Sequence, residues 1–252
     1  MFKRHHHNLI PALLLTIVVL LQNYAAYSQQ NQYIELAMDS LVALSDSAYG
    51  LDTELSNGPI YYQKNLYAQG TPFYESTEWR PGSVTINGRL HTGNLMKYNI
   101  ETDKLILLVT LRSGLSTSII LDPEHVEEFF LNNQHFIPAE NVATDVIRTA
   151  YVHEVYKGDI TLVASYRKNF INDYNAKTPY GKYSNRQSTY FISQNGSVTR
   201  ISNKKTLLSL FEDHKRELHR YMKQQKFKFR KADTRQWHDL IAFCDNLESS
   251  QP

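Results

Sequence analysis

"SVTINGRLHTGNLMKYNIETDKLILLV", residues 83–109, is the stretch whose reading decides the fold. Val84 and Ile86 alternate with polar neighbours up to Asn87-Gly88, a pair that tolerates positive φ and suits a type I′ hairpin turn. Beyond it Met96, Tyr98 and Ile100 alternate again, and Glu101-Thr102-Asp103 marks a second turn. Residues 105–109 are then apolar on both sides, as in a strand covered on two faces. Such a pattern predicts an antiparallel meander pinned in register by its turns, a scaffold with no catalytic signature of its own.

Outward from this stretch, turn signals recur through residues 57–201: Asn57-Gly58, Gly70-Thr71-Pro72, Pro81-Gly82, Gly93-Asn94, Ser113-Gly114, Gly158-Asp159 and Asn195-Gly196. The segments between them are short and rich in Val, Ile, Thr, Tyr and Phe, which leaves no room for the helices of βαβ units and predicts hairpins. Residues 151–156 and 160–166 form one further hairpin and residues 189–200 another. Residues 170–186 are polar and rich in Tyr, Asn and Lys, and are expected to form a long exposed loop of the kind that is functional or mobile.

Helical periodicity occupies the two ends. Residues 32–49 read as an N-terminal helix stopped by Gly50. Over residues 203–225 one helix would bury Leu207, Phe211, Leu218 and Met222 and present Lys205, Arg216, Arg220 and Lys223 on its opposite side. A last helix is expected from Asp233, which can cap the free amides with Gln236 completing a capping box, and it would bury Trp237, Leu240, Ile241, Cys244 and Leu247. The fold class is therefore α+β. An antiparallel hairpin meander, as a curved sheet or open barrel, carries an N-terminal helix and C-terminal helices in one globular domain over residues 29–252. Within it, residues 29–56 hold the helix and linker, 57–201 the β region, and 202–252 a helical region packed on the sheet.

The first 28 residues read as a cleavable signal peptide. Lys3 and Arg4 precede an apolar run over residues 9–21, shorter than a bilayer-spanning helix, and Ala26-Tyr27-Ser28 places small residues for cleavage after Ser28. The expected location is periplasmic or secreted. The single cysteine, Cys244, forbids an intrachain disulfide and lies far from the cleavage site, so it cannot carry a lipid there. Removing Lys3 and Arg4 from the 27 basic residues leaves 25, equal to the 25 acidic ones, which argues against a nucleic-acid binder. The charge is uneven, however. Residues 200–235 contain twelve Lys or Arg against four Asp or Glu, a local excess of eight.

Catalytic and cofactor motifs fail on spacing. His214 and His219 frame an inverted zincin-like run but stand five apart, which on a helix separates them by about 140°. Gly114-Leu115-Ser116-Thr117-Ser118 begins like a nucleophile elbow but ends in serine without a following helix, and reads as a loop. No P-loop or dinucleotide fingerprint is present, so no cofactor is expected. Two binding surfaces remain. One is the tyrosine set Tyr61, Tyr62, Tyr67, Tyr74, Tyr174, Tyr180 and Tyr183, whose rings could stack on sugars but are also good strand residues. The other is the basic face of Lys205, Arg216, Arg220 and Lys223, suited to an anionic envelope component or protein partner, though such a charge run is more often simply a solvated face.

The runs "TPFYESTEWRPGSVTINGRLHTGNLMKYNIETDKLILLV", "IILDPEHVEEFFL" and "KTLLSLFEDHKRELHRYM" resemble a family of exported β-rich proteins of Bacteroidetes-type bacteria. The shared elements are a Trp and a Gly before the first strand, an Asn-Gly hairpin, Lys-Tyr-Asn followed by a Thr-Asp turn, and a Lys-rich helical end. The resemblance implies a scaffold and no catalytic residues. Together these readings lead to an exported non-catalytic protein acting through surface contacts. The alternatives are a binding module for glycan or lipid, or a hydrolase with a site of unrecognised form.

Overall fold

The computed structural model describes residue 55 and residues 58–249 apart from 112, 113 and 144. The segment read as a signal peptide and the helix read over residues 32–49 lie outside these residues. The strands are β1 (Arg80–Ile86), β2 (Arg89–Asn99), β3 (Lys104–Thr110), β4 (Ser116–Ile120), β5 (Val126–Leu131), β6 (Gln134–Pro138), β7 (Tyr151–Lys157), β8 (Thr161–Arg167), β9 (Phe170–Ile171), β10 (Lys182–Tyr183), β11 (Gln187–Gln194) and β12 (Ser197–Ile201). Helices α1 (Lys204–Leu210), α2 (Lys215–Gln224) and α3 (Thr234–Glu248) follow.

Ten strands form one open antiparallel sheet in the order β12-β11-β8-β7-β6-β5-β1-β2-β3-β4, and β9 and β10 form a separate pair. Two meanders, β1 to β4 and β5 to β12, are thus joined side by side through the β1–β5 pairing. Hairpin turns sit where side chains tolerate positive φ: Asn87-Gly88 (50° and 74°), Asn132-Asn133 (53° and 59°) and Asn195-Gly196 (51° and 72°). The β5–β6 turn at Asn132-Asn133 escapes a search for glycine, although asparagine meets the same requirement. Gly93-Asn94, read above as a turn, is instead a bulge inside β2. Gly82 pairs with Asn94 and Val84 with His91, so the chain gains a residue where Gly93 takes φ 71°. Ser116 to Ser118, read as a loop, belong to β4.

Alternation puts one set of side chains on a common face of the sheet. Val84, Met96, Tyr98, Leu107, Phe129, Phe136, Tyr151 and Tyr166 are all nearly inaccessible. Across this face the sheet curls tightly. The Tyr98 and Tyr151 rings are 5.8 Å apart although three strands lie between theirs, and Lys168 N–H donates to Ile100 C=O at 3.2 Å, joining the end of β8 to that of β2. The hollow is filled rather than open. Tyr74, from the segment before β1, places its ring 4.7 Å from Tyr166 and 5.4 Å from Phe136. On the other face Ile147 and Ala139 cover Val152, Val163 and Phe191 in a smaller core.

The Lys-Tyr-Asn and Thr-Asp elements act together at one turn. Asn99 Oδ1 accepts from Glu101 and Thr102 N–H, and the Asp103 carboxylate accepts from Tyr98 hydroxyl and Ala150 N–H. Lys97 Nζ lies 4.1 Å from the centre of the Trp79 ring. A Cβ on Gly82 would come within 2.4 Å of Phe130 C=O, so the strand pairing there demands glycine.

The helical end differs from expectation in one respect. The helix read over residues 203–225 is broken at Phe211, and the chain restarts at Lys215 as α2. Lys205 therefore does not share an axis with Arg216, Arg220 and Lys223. The buried stripe survives the break, because Leu207, Phe211, Leu218 and Met222 are all buried. Helix α3 begins as read, with Asp233 accepting from Gln236 N–H at 2.8 Å and the Gln236 side chain returning the bond. Its buried stripe holds Trp237, Leu240, Ile241 and Cys244 as read, but Leu247 is only half-buried and an acid, Asp245, is buried instead. Asp245 accepts from Tyr156 hydroxyl at 2.7 Å and Ile160 N–H at 2.9 Å, tying α3 to the β7–β8 turn.

Candidate anion-binding site

The capping box starts α3 so that Trp237 falls on its inner side, where the indole stacks on Tyr190 of β11 at 4.5 Å and 27°. Phe227 and Phe229, from the α2–α3 connection, meet the same indole edge-on at 5.1 and 5.2 Å. These contacts anchor the basic α2–α3 connection on α3, at the residue before Arg230. Next to this aromatic corner lies a cavity of about 390 Å³ bordered by Arg186, Arg200 and Arg230 and by Ser188, Thr189 and Ser202. Its lining holds no carboxylate.

Arg186 is braced from the interior. Its guanidinium carbon lies 4.7 Å from the Tyr74 ring centre and 5.0 Å from that of Tyr166, so the planar group is stacked before any ligand arrives. Among the described residues, none of the three arginines forms an ion pair with a carboxylate. The Trp237 indole N–H is buried and lacks a hydrogen-bond partner, a state it shares with the Tyr74 and Tyr151 hydroxyls. Hence the corner offers positive charge that no carboxylate among the described residues neutralises by an ion pair.

The other buried ionisable groups have structural partners. Burial holds the His153 imidazole down to about 4, and its Nδ1 is 2.9 Å from Tyr166 hydroxyl. Burial raises the Asp103 carboxyl, and its two hydrogen bonds lower it again. The Cys244 thiol is pushed up to about 12 by burial, which suppresses the reactive thiolate. Lys168 Nζ donates to Phe73 C=O at 2.6 Å. Among the described residues no group of His, Cys, Asp or Glu is arranged to hold a metal ion.

The four basic residues singled out in the sequence, Lys205, Arg216, Arg220 and Lys223, are all exposed. Three of them share a face of α2 at spacings of four and three, opposite buried Leu218 and Met222. Lys205 comes from α1, which meets α2 where Lys204 Nζ lies 3.3 Å from His219 Nδ1. The tyrosines divide. Tyr62, Tyr67, Tyr174 and Tyr180 are exposed, with Tyr67 and Tyr180 rings 5.5 Å apart, whereas Tyr74 and Tyr183 are buried and Tyr61 accepts from Asn99 Nδ2. Arg200 and Arg230 stand inside the basic run of residues 200–235 but were not distinguished there, and Arg186 lies in the segment read as an exposed loop. Only a signal linking distant arginines could have found them, since the three are separated by 14 and 30 residues. Comparison with protein-family models, with curated proteins and with solved structures finds no match.

Proposed function

We propose that the protein is an exported, non-catalytic module that works by surface contact in the cell envelope or outside the cell, meeting an anionic partner through its basic C-terminal region. One observation carries this reading. The hollow of the sheet is filled by its own aromatic side chains, while the arginine cavity and the exposed cations of α1 and α2 lie in the C-terminal part of the chain. A concentration of unpaired cations favours anions at long range and loses that preference as salt screens it.

The test uses the mature protein with anionic polysaccharide and with vesicles containing phosphatidylglycerol. Binding to at least one of them should fall as salt rises, and replacing Lys205, Arg216, Arg220 and Lys223 together with Gln should weaken it with little change in thermal midpoint. Binding that is absent, or indifferent to salt, defeats the proposed contact. N-terminal sequencing of protein recovered outside the cytoplasm should read from Gln29 or close to it. Recovery of the intact chain from the cytoplasm alone defeats the export reading.

A further inference from the structure

We propose that the cavity between β11, the end of β12 and the start of α3 is a specific binding site for a phosphate monoester. This rests on the anionic-partner reading above but concerns a different set of residues from the exposed face of α2. The argument begins with the lining. Arg186, Arg200 and Arg230 border one space, accompanied by the hydroxyls of Ser188, Thr189 and Ser202, and no carboxylate lines it to neutralise them. A phosphate monoester carries a charge of about −1.5 to −2 with three terminal oxygens, and guanidinium forks match that geometry. A single carboxylate supplies less charge and fewer acceptors for the same donors.

One wall of the cavity is also held by contacts made elsewhere. Arg186 is stacked over Tyr74 and Tyr166, so its guanidinium needs little ordering when a ligand binds, and Phe229 is packed on Trp237. A volume of about 390 Å³ accommodates the phosphate together with a body of the size of a monosaccharide. Sugar phosphates and the phosphate of a phosphatidic acid headgroup share the chemistry recognised here.

Trp79 and Trp237 are the two tryptophans of the chain, so a Trp79→Phe protein reports from the cavity wall through Trp237 fluorescence. Glucose 6-phosphate, glucose, glucuronate and inorganic phosphate would be titrated into it, with calorimetry on the unaltered protein and flotation of vesicles containing phosphatidic acid as parallel arms. Glucose 6-phosphate or phosphatidic acid vesicles should bind, and the responding arm identifies the soluble or the lipid source. Arg200→Gln and Arg230→Gln should each weaken that binding by about tenfold, the loss expected for a charge-assisted hydrogen bond. Thermal midpoints close to that of the parent protein would show that both variants fold.

The proposal is overturned if neither phosphate ester binds, if glucuronate binds as tightly as glucose 6-phosphate, or if both arginine variants bind like the parent. The α2-face variant with four Gln replacements should retain glucose 6-phosphate binding. Its loss would place the interaction on the general basic surface and also overturn the cavity. Failure of salt-sensitive binding to polysaccharide and vesicles, with glucose 6-phosphate still bound, would instead remove the surface-contact reading and leave the cavity standing.

Discussion

Arg186 belongs to two regions at once: its guanidinium lies over Tyr74 and Tyr166 of the sheet interior, and with Arg200 and Arg230 it borders the cavity beside α3. Both regions are made of aromatic rings with a few charged or hydroxyl groups among them. In the interior, those groups are used against each other. Asp103 takes Tyr98 hydroxyl and Ala150 N–H, His153 meets Tyr166, and Lys168 meets a backbone carbonyl. At the cavity, the arginines form no ion pair with a carboxylate among the described residues. Charged groups thus serve as scaffold where they are matched internally and as a binding surface where they are not, although the interior Tyr74 and Tyr151 hydroxyls also lack partners.

The widest gap between the regions should appear on removing an interior acceptor. Asp103→Ala leaves the buried Tyr98 hydroxyl and the Ala150 N–H without their acceptor, and chemical denaturation should show a loss of about 4 kcal/mol. Alanine also suits the φ of 60° poorly, whereas Asp103→Asn keeps an acceptor and tolerates that backbone, so it should lose roughly half as much. Equal losses in the two variants would mean that charge rather than hydrogen bonding holds the turn.

A somewhat smaller effect is expected from acid. The unfolded chain protonates His153 near its ordinary value of 6.5, but burial delays protonation of the folded chain to about 4. Folding stability is therefore complete above pH 6.5 and declines as pH falls from 6.5 to 4, by on the order of 3 kcal/mol through this group. The raised Asp103 carboxyl acts in the opposite sense, since it takes up its proton in the folded state before the unfolded one does. Subtracting the profile of His153→Gln isolates the histidine. Parallel profiles for the two proteins between pH 6.5 and 4 would show that His153 titrates normally and that the interior is wetter than its packing indicates.

The smallest change belongs to the cavity. Arg230→Gln removes an exposed cation with no ion pair among the described residues, so stability should move by no more than about 0.5 kcal/mol. A loss comparable to that of Asp103→Ala would erase the contrast and make Arg230 a structural residue.

Much of this architecture was legible before any coordinates. Positive-φ turns at Asn87-Gly88 and Asn195-Gly196, alternation along β1 and β2, the apolar run of β3, and the Asp233–Gln236 capping box are local devices, each governed by a few neighbouring residues. Where the reading slipped, a local signal had a second use. Gly93 has the φ of a turn glycine but serves a bulge, which becomes apparent only when β1 lies opposite, and the stripe of residues 203–225 remains apolar across a break that periodicity does not register. Nothing in the local sequence marks Asp245 for burial, which follows only from the β7–β8 turn lying against α3.

By itself, then, the sequence determined the Asn87-Gly88 and Asn195-Gly196 hairpins, the start of α3 and the uneven charge, because φ preference, alternation and capping act over a handful of residues. Tertiary structure alone decided the side-by-side joining of two meanders through β1 and β5, the curl that places Tyr98 near Tyr151, and the meeting of Arg186, Arg200 and Arg230 at one cavity. The physical reason is range. Strand order and the convergence of distant side chains depend on how whole surfaces bury apolar area together, and no short window of the chain contains that sum.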